Sequence, residues 1–156
     1  MTKILSLIII VVMAVGLVSC SGILGERGDV TFVIENRDGS YEVYKAYLED
    51  VENKDEGVYG VVELLIKREK NPLSADIAEA VYGAYINSIG SLTPDASKNE
   101  YISIYTSLEK DFSTREPVGV IEYEGVTLKS AGVGLSSMSA EKGTVILFRI
   151  ETYEAY

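Results

Sequence analysis

A run of largely apolar residues near the N-terminus, from Ile4 to Val18, most restricts what this chain can fold into. It is shorter than the roughly 20 residues that a transmembrane helix needs. Lys3 is the only charged residue before Cys20. A short charged region followed by an apolar region is typical of a secretory signal. We therefore expect this segment to be a signal, with an uncleaved membrane anchor as the alternative.

The four residues that close this run, Leu17-Val18-Ser19-Cys20, resemble the lipobox of bacterial lipoproteins. In that class an aliphatic residue, a small or aliphatic residue and a small residue precede an invariant cysteine, and all four positions fit. The resemblance implies that residues 1–19 are removed as a lipoprotein signal peptide. It also implies that Cys20 carries the lipid and becomes the first mature residue. A small buried cysteine in an ordinary anchor helix is the alternative.

The same resemblance predicts where the protein lies. A single acyl chain binds a membrane only marginally, whereas two or three hold stably, so the lipid on Cys20 would anchor the chain to a membrane of the cell envelope. Ser21 stands where an aspartate tends to keep enteric-type lipoproteins on the inner membrane. By analogy the outer membrane is favoured if the organism has one, and otherwise the outer face of the cell membrane. Residues 20–28 are expected to form a lipidated, flexible tether.

Composition narrows the possible partners of the remaining chain. The formal net charge of the 156 residues is -10, which argues against a nucleic-acid partner, since such proteins present Lys and Arg patches to the phosphates. It also argues against electrostatic binding to an anionic bilayer. Histidine is absent and Cys20 is the only cysteine, so the commonest general base and an internal disulfide are both excluded. Residues 29–156 are expected to form one globular domain.

The sequence of the first half of that domain predicts both strands and helices. Residues 29–35 alternate weakly and favour a strand. Residues 41–52 favour a helix by their periodicity, with Ser40 as N-cap, although a strand remains possible. Residues 58–67 form an apolar run that favours a buried strand, although a helix fits almost as well. Residues 71–90 favour a helix, with Asn71 as its cap and Pro72 at its first position.

The second half is rich in predicted strands. Residues 101–106, 117–123, 126–131 and 144–153 all favour strands, and the last of them is apolar enough for a central position. The expected fold class is α+β: a mainly antiparallel sheet with about two helices packed on one face and a strand-rich C-terminal half.

No catalytic, cofactor-binding or metal-binding residue is predicted. Two Ser-x-x-Lys matches, Ser107 to Lys110 and Ser139 to Lys142, lack the companion motifs of penicillin-binding enzymes. The Gly132-Val133-Gly134 stretch lacks the third glycine and lysine of a phosphate loop. The acidic cluster at residues 49–56 does not fit an EF-hand and is expected to be a solvated helix end.

Tyrosine is unusually frequent, with 11 residues and no tryptophan. Tyr41, Tyr44, Tyr47 and Tyr59 could line one face, either as the core side of a helix or as a recognition surface.

The function predicted from the sequence is a non-enzymatic binding or interaction module of the cell envelope, held to the membrane by lipid on Cys20. A protein or glycan partner in the envelope is expected. Two alternatives remain. One is a carboxylate-based hydrolase of envelope glycans, which needs two acidic groups across a cleft at about 5 to 9.5 Å. The other is a structural or assembly subunit of an envelope complex.

Overall fold

The computed structural model describes residues 27–81 and 83–153. Cys20 and the predicted signal peptide and tether up to residue 26 lie outside the described residues. Eight strands and one α-helix, α1, are present in the described part, joined by short 3-10 turns. Their bounds are β1 Val30–Glu35, β2 Tyr41–Ala46, α1 Gly57–Lys67, β3 Ala75–Ala80, β4 Gly83–Ile89, β5 Glu100–Thr106, β6 Val120–Tyr123, β7 Val126–Ser130 and β8 Val145–Thr152.

Six of the strands form one sheet, in the order β2-β1-β8-β5-β7-β6. β1 and β8 are parallel, and the other neighbouring pairs are antiparallel. The sheet curls so far that its two edge strands meet: the ring centroids of Tyr41 in β2 and Tyr123 in β6 lie 5.2 Å apart. The result is a half-barrel. β3 and β4 form a separate two-stranded hairpin.

The curled sheet has an apolar core on each face. The outer face is covered by α1 and the β3–β4 hairpin, and its centre includes the stacked rings of Phe32 and Phe148, whose centroids are 5.9 Å apart. The inner face, inside the curl, holds a smaller buried cluster. Its members are Val33, Tyr105, Tyr123, Leu128, Val145 and Leu147.

The predicted α+β class with about two helices on one face is wrong, because the described chain is mostly β with a single α-helix. The error lies in the first half of the domain. β1, β5 and β8 lie where strands were predicted, and β8 is a central strand, since it pairs with both β1 and β5.

Residues 41–52 do not form the predicted helix. Tyr41–Ala46 is strand β2, in which Tyr44 and Ala46 are buried in the outer core while Tyr41 and Val43 point to the other face. The side chains of this segment therefore alternate between the two faces of the sheet, as they do in any strand. The helical stripe arose from joining this alternation to the following 3-10 turn, Leu48–Asp50, as if both were one segment.

Residues 58–67 form a helix instead of the predicted buried strand. α1 buries Val58, Val61, Val62 and Leu65, which are spaced three and four residues apart. Its β-branched residues lower helix propensity only slightly, and burial of this face against the sheet outweighs that preference.

Residues 71–90 form the β3–β4 hairpin in place of the predicted helix. Asn71 has φ +49°, which is not the extended conformation of an N-cap, and Gly83 has φ +108° next to the hairpin turn. The apolar stripe does not lie on a helix, because Ile86 and Ile89 of β4 are buried in the outer core. An irregular register between Asp76 and Ile77 hid the strand alternation from the sequence pattern.

Candidate functional site: a charged cleft at the end of β1 and β8

A cleft of about 620 Å³ opens where β8 continues past the end of β1. β1 ends at Glu35, which lies beside Arg149, while β8 stays paired with β5 as far as Thr152. The loop of residues 36–40, which joins β1 to β2, borders this space. The residues that line the cleft are Glu35, Asn36, Arg37, Gly39, Glu100, Arg149, Ile150, Glu151 and Thr152.

On the inner face of the sheet, Arg149 lies between two carboxylates. Its Nη1 is 3.3 Å from Oε2 of Glu35, and its Nε is 3.7 Å from Oε1 of Glu151. Nε is buried and has no hydrogen-bond acceptor among the described residues. All three side chains are only partly exposed, so water screens their attraction less than it would on an open surface.

Two tyrosines fix the position of Glu151. Tyr105 donates its hydroxyl to Oε1 at 2.6 Å, and Tyr101 donates to Oε2 at 3.1 Å. Burial, assisted by the bond to Glu151, raises the pKa of Tyr105 to about 12, so this hydroxyl keeps its proton and remains a donor. Gly119 packs against the same ring, and a Cβ there would come within 2.4 Å of the Tyr105 hydroxyl.

A second ion pair crosses the end of β8. Arg37 binds Glu100 with both guanidinium nitrogens, Nη1 to Oε1 at 2.9 Å and Nη2 to Oε2 at 2.6 Å. The Arg37 Nη2 also donates to the Thr93 carbonyl at 3.1 Å, and the Asp95 N–H donates to Glu100 Oε2 at 2.8 Å. The hydrogen bonds that Glu100 accepts lower its pKa to about 2, with the largest effect from Arg37 and the next from the Asp95 N–H. The pair ties the 36–40 loop to the start of β5.

The Arg37–Glu100 pair makes a testable contribution to acid stability. The pKa of Glu100 is lower in the folded protein than its usual 4.5, so the contribution is complete above pH 4.5 and is lost as pH falls towards about 2. We expect Arg37→Met to be less stable than wild type at pH 7 and the difference to shrink below pH 4.5. Urea unfolding at several pH values measures it. A difference that is constant down to pH 2 would contradict this assignment.

The residues singled out in the sequence have structural roles where the structure describes them. The Ser107 hydroxyl accepts the Val145 N–H at 3.0 Å, and the Ser139 N–H donates to the buried carboxylate of Asp111 at 2.8 Å. Lys110 pairs with Glu141 on the surface. Gly132-Val133-Gly134 lies in the loop between β7 and β8.

The predicted tyrosine face does not exist. Tyr41 and Tyr44 point to opposite sides of β2, and Tyr59 lies on α1. Sequence reasoning instead missed the cleft residues Glu35, Arg149 and Glu151. A signal was present in β8, where Arg149 and Glu151 alternate with apolar neighbours at the end of an otherwise buried strand. That pattern places two charges on the inner face of the sheet.

Among residues 27–81 and 83–153, no three Asp, Glu, His or Cys side chains converge closely enough to hold a metal ion. Nor does that part of the chain contain a helix long and apolar enough to cross a bilayer. The cleft offers three carboxylates, two guanidinium groups and the end of β8, which no strand of the described chain pairs on the β1 side. Such groups hold and orient a polar ligand through charge-assisted hydrogen bonds.

Comparison with solved structures supports the fold. A protein from Ruminococcus gnavus ATCC 29149, described as a putative metal binding protein, superposes with a TM-score of 0.53 at 15% identity, over 82% of this chain and 100% of that chain. Haptocorrin in complex with Cbi gives a TM-score of 0.52 at 14% identity, over 87% of this chain and 29% of the haptocorrin chain. At these identities the likeness concerns the fold alone.

Sequence comparison gives no closer relationship. No family model matches the chain, and no curated protein is similar to it in sequence.

Proposed function

We propose that this protein is a lipid-anchored binding module of the bacterial cell envelope, and that its ligand enters the charged cleft at the end of the domain opposite the anchor. The observation that carries the proposal is the parallel course of β1 and β8. Both strands start at the end where the chain enters the domain, and both reach the cleft at their other end.

The entry end is defined by two backbone hydrogen bonds and one side-chain ion pair. Asp29, just before β1, donates its N–H to the Ala46 carbonyl at 2.8 Å and accepts the Gly143 N–H at 2.7 Å. Its carboxylate is 3.7 Å from Nζ of Lys142. Glu35 lies at the far end of β1, and strands rise about 3.3 Å per residue, so the cleft is roughly 20 Å from the entry end.

A short connection would keep the entry end near the membrane. The lipid proposed for Cys20 is separated from Arg27 by residues 21–26, and a chain segment spans at most about 3.6 Å per residue. Arg27 would thus lie within roughly 25 Å of the lipid, and the cleft would open away from the bilayer. A ligand in the periplasm or outside the cell could then reach it.

Binding fits the cleft better than hydrolysis does. A glycosidase of the carboxylate type needs one carboxyl group as a proton donor and a second as nucleophile or base. Here Glu35 and Glu151 both contact Arg149, and Glu151 also accepts two tyrosine hydroxyls. The description of the Ruminococcus gnavus protein as a putative metal binding protein is compatible with a binding module.

Anchoring is tested with Cys20→Ala. The wild-type chain, expressed in a bacterium that processes lipoproteins, should be cleaved before residue 20 and should partition into the detergent phase. The variant should remain uncleaved at that site and carry no diacylglycerol by mass spectrometry. A wild-type protein without the lipid would refute the anchoring part of the proposal.

Binding is tested by photo-crosslinking in cells. A benzophenone amino acid at Thr152, in the cleft, should give a specific adduct, whereas the same group at Glu69, an exposed residue after α1, should not. Equal adducts at both positions, or an adduct only at residue 69, would show that the cleft is not the binding site.

A further inference from the structure

Within the described chain, the last residues of β8 are paired on one side only. The parallel ladder with β1 ends at the Ile34–Phe148 pair, whereas the antiparallel ladder with β5 continues to the Glu100–Thr152 pair. On the β1 side, no strand of the described chain lies opposite the end of β8. A free strand edge of this kind is a ready template for another extended chain.

Alternation along β8 shows which backbone groups face the free side. The Thr144 carbonyl accepts the Thr31 N–H at the start of β1, and the Val145 carbonyl accepts the Ser107 N–H on the β5 side. Even-numbered residues of β8 therefore direct their N–H and C=O groups towards β1. Beyond the end of β1 these are Ile150 and Thr152, and both line the cleft.

Charged side chains flank this edge on both faces of the sheet. Arg149, with Glu35 and Glu151, lies on the inner face. Tyr101 points to the inner face, where it donates to Glu151. Its neighbour Glu100 therefore points to the outer face, and so does the guanidinium of Arg37 that is bonded to it. The cleft is thus a slot with a backbone edge as its floor and charged walls. Its volume of about 620 Å³ is typical of a ligand site.

The charge of the slot indicates which kind of chain it accepts. Its walls carry three carboxylates against two guanidinium groups, in a chain of formal charge -10. Glu35 and Glu151 share a single arginine, so each can accept a further hydrogen bond from a cation. A basic ligand is favoured by charge complementarity, and an acidic one is disfavoured.

We propose that the free edge of β8 at Ile150–Thr152 binds an extended, basic peptide segment of a partner protein by strand addition. Main-chain hydrogen bonds to Ile150 and Thr152 supply affinity, and lysine or arginine side chains contact Glu35 and Glu151 on the inner wall. This inference rests on the proposed function, because it names the ligand class of the same cleft.

The test uses an acetylated and amidated hexapeptide of alternating lysine and valine, titrated into the ¹⁵N-labelled full chain in mild detergent. We expect amide shifts centred on residues 150–152 and slower hydrogen exchange of the Thr152 N–H. Thr152→Pro removes that donor and should weaken binding about fivefold, whereas Thr152→Ala keeps it and should bind within about twofold of wild type. An alternating glutamate–valine peptide should not bind.

A second measurement does not depend on how the proline variant folds. The same peptide with alternate backbone nitrogens methylated keeps its side chains but cannot add as a strand, and it should bind wild type at least about fivefold more weakly. Equal binding of the methylated peptide, no binding of the unmethylated one, or shifts outside the cleft would overturn strand addition. If free lysine shifts the same amides as strongly, strand addition is also wrong, but the cleft remains the binding site.

Discussion

Phe148→Ala is expected to lower the free energy of unfolding by about 3–5 kcal/mol. Phe148 is fully buried on the central strand β8 and stacks on Phe32 of β1 under α1 and the hairpin. Truncation removes a ring from the middle of the outer core, where neighbours on several elements cannot all collapse into the cavity. The loss is therefore larger than the transfer free energy of the ring alone.

Urea unfolding of the full chain measures this effect, with Val120→Ala as the matched control. Val120 lies on edge strand β6 and is 56% exposed, so its truncation should change stability by less than about 0.5 kcal/mol. A Phe148→Ala variant that unfolds at the same urea concentration as the control would mean that β8 is not at the centre of the sheet.

Gly57→Ala is expected to cost about 2–4 kcal/mol, through strain and overpacking together. Gly57 starts α1 with φ +53°, and a Cβ at this position would lie 2.0 Å from the Met138 carbonyl oxygen. That same carbonyl accepts the Val58 N–H at 3.0 Å. An added methyl group thus pushes the start of α1 away from Met138, whose carbonyl accepts the first N–H of the helix after Gly57.

Gly143→Ala separates the two causes. Gly143 has φ +88°, but a Cβ there meets nothing within 4 Å, so only the backbone conformation is penalised, by about 1 kcal/mol. If the two alanine variants lose equal stability, the close contact between α1 and the Met138 loop is not present in solution.

The fold was predictable from the sequence where a segment's own pattern and its burial agree. β8 is apolar on both sides because it is central, and it was predicted as such. A strand was predicted where α1 lies, and a helix was predicted where the β3–β4 hairpin lies. Both predictions are wrong because each segment takes its conformation from packing on the outer face of the sheet. α1 is rich in valine, and β3 is rich in alanine, so local propensity favours the wrong structure in both.

The cleft was not predictable for a different reason. Glu35, Glu100 and Arg149 come from three strands whose pairing is long-range, and their proximity depends on β1 and β8 being parallel neighbours. Nothing in a single sequence shows that β1 ends before β8 does. The lipid site at Cys20, by contrast, depends on a contiguous motif and stays a prediction from sequence, outside the described residues.

The most direct test of the account measures which end of the domain faces the membrane. Thr152→Cys in the cleft and Lys142→Cys at the entry end would each carry a donor dye, in lipidated full chain reconstituted on vesicles with acceptor lipid. Wild type should take no dye if its only thiol, that of Cys20, carries the proposed diacylglyceryl thioether. We expect clearly stronger energy transfer from residue 142 than from residue 152, and equal or reversed transfer would contradict a cleft that opens away from the anchoring membrane.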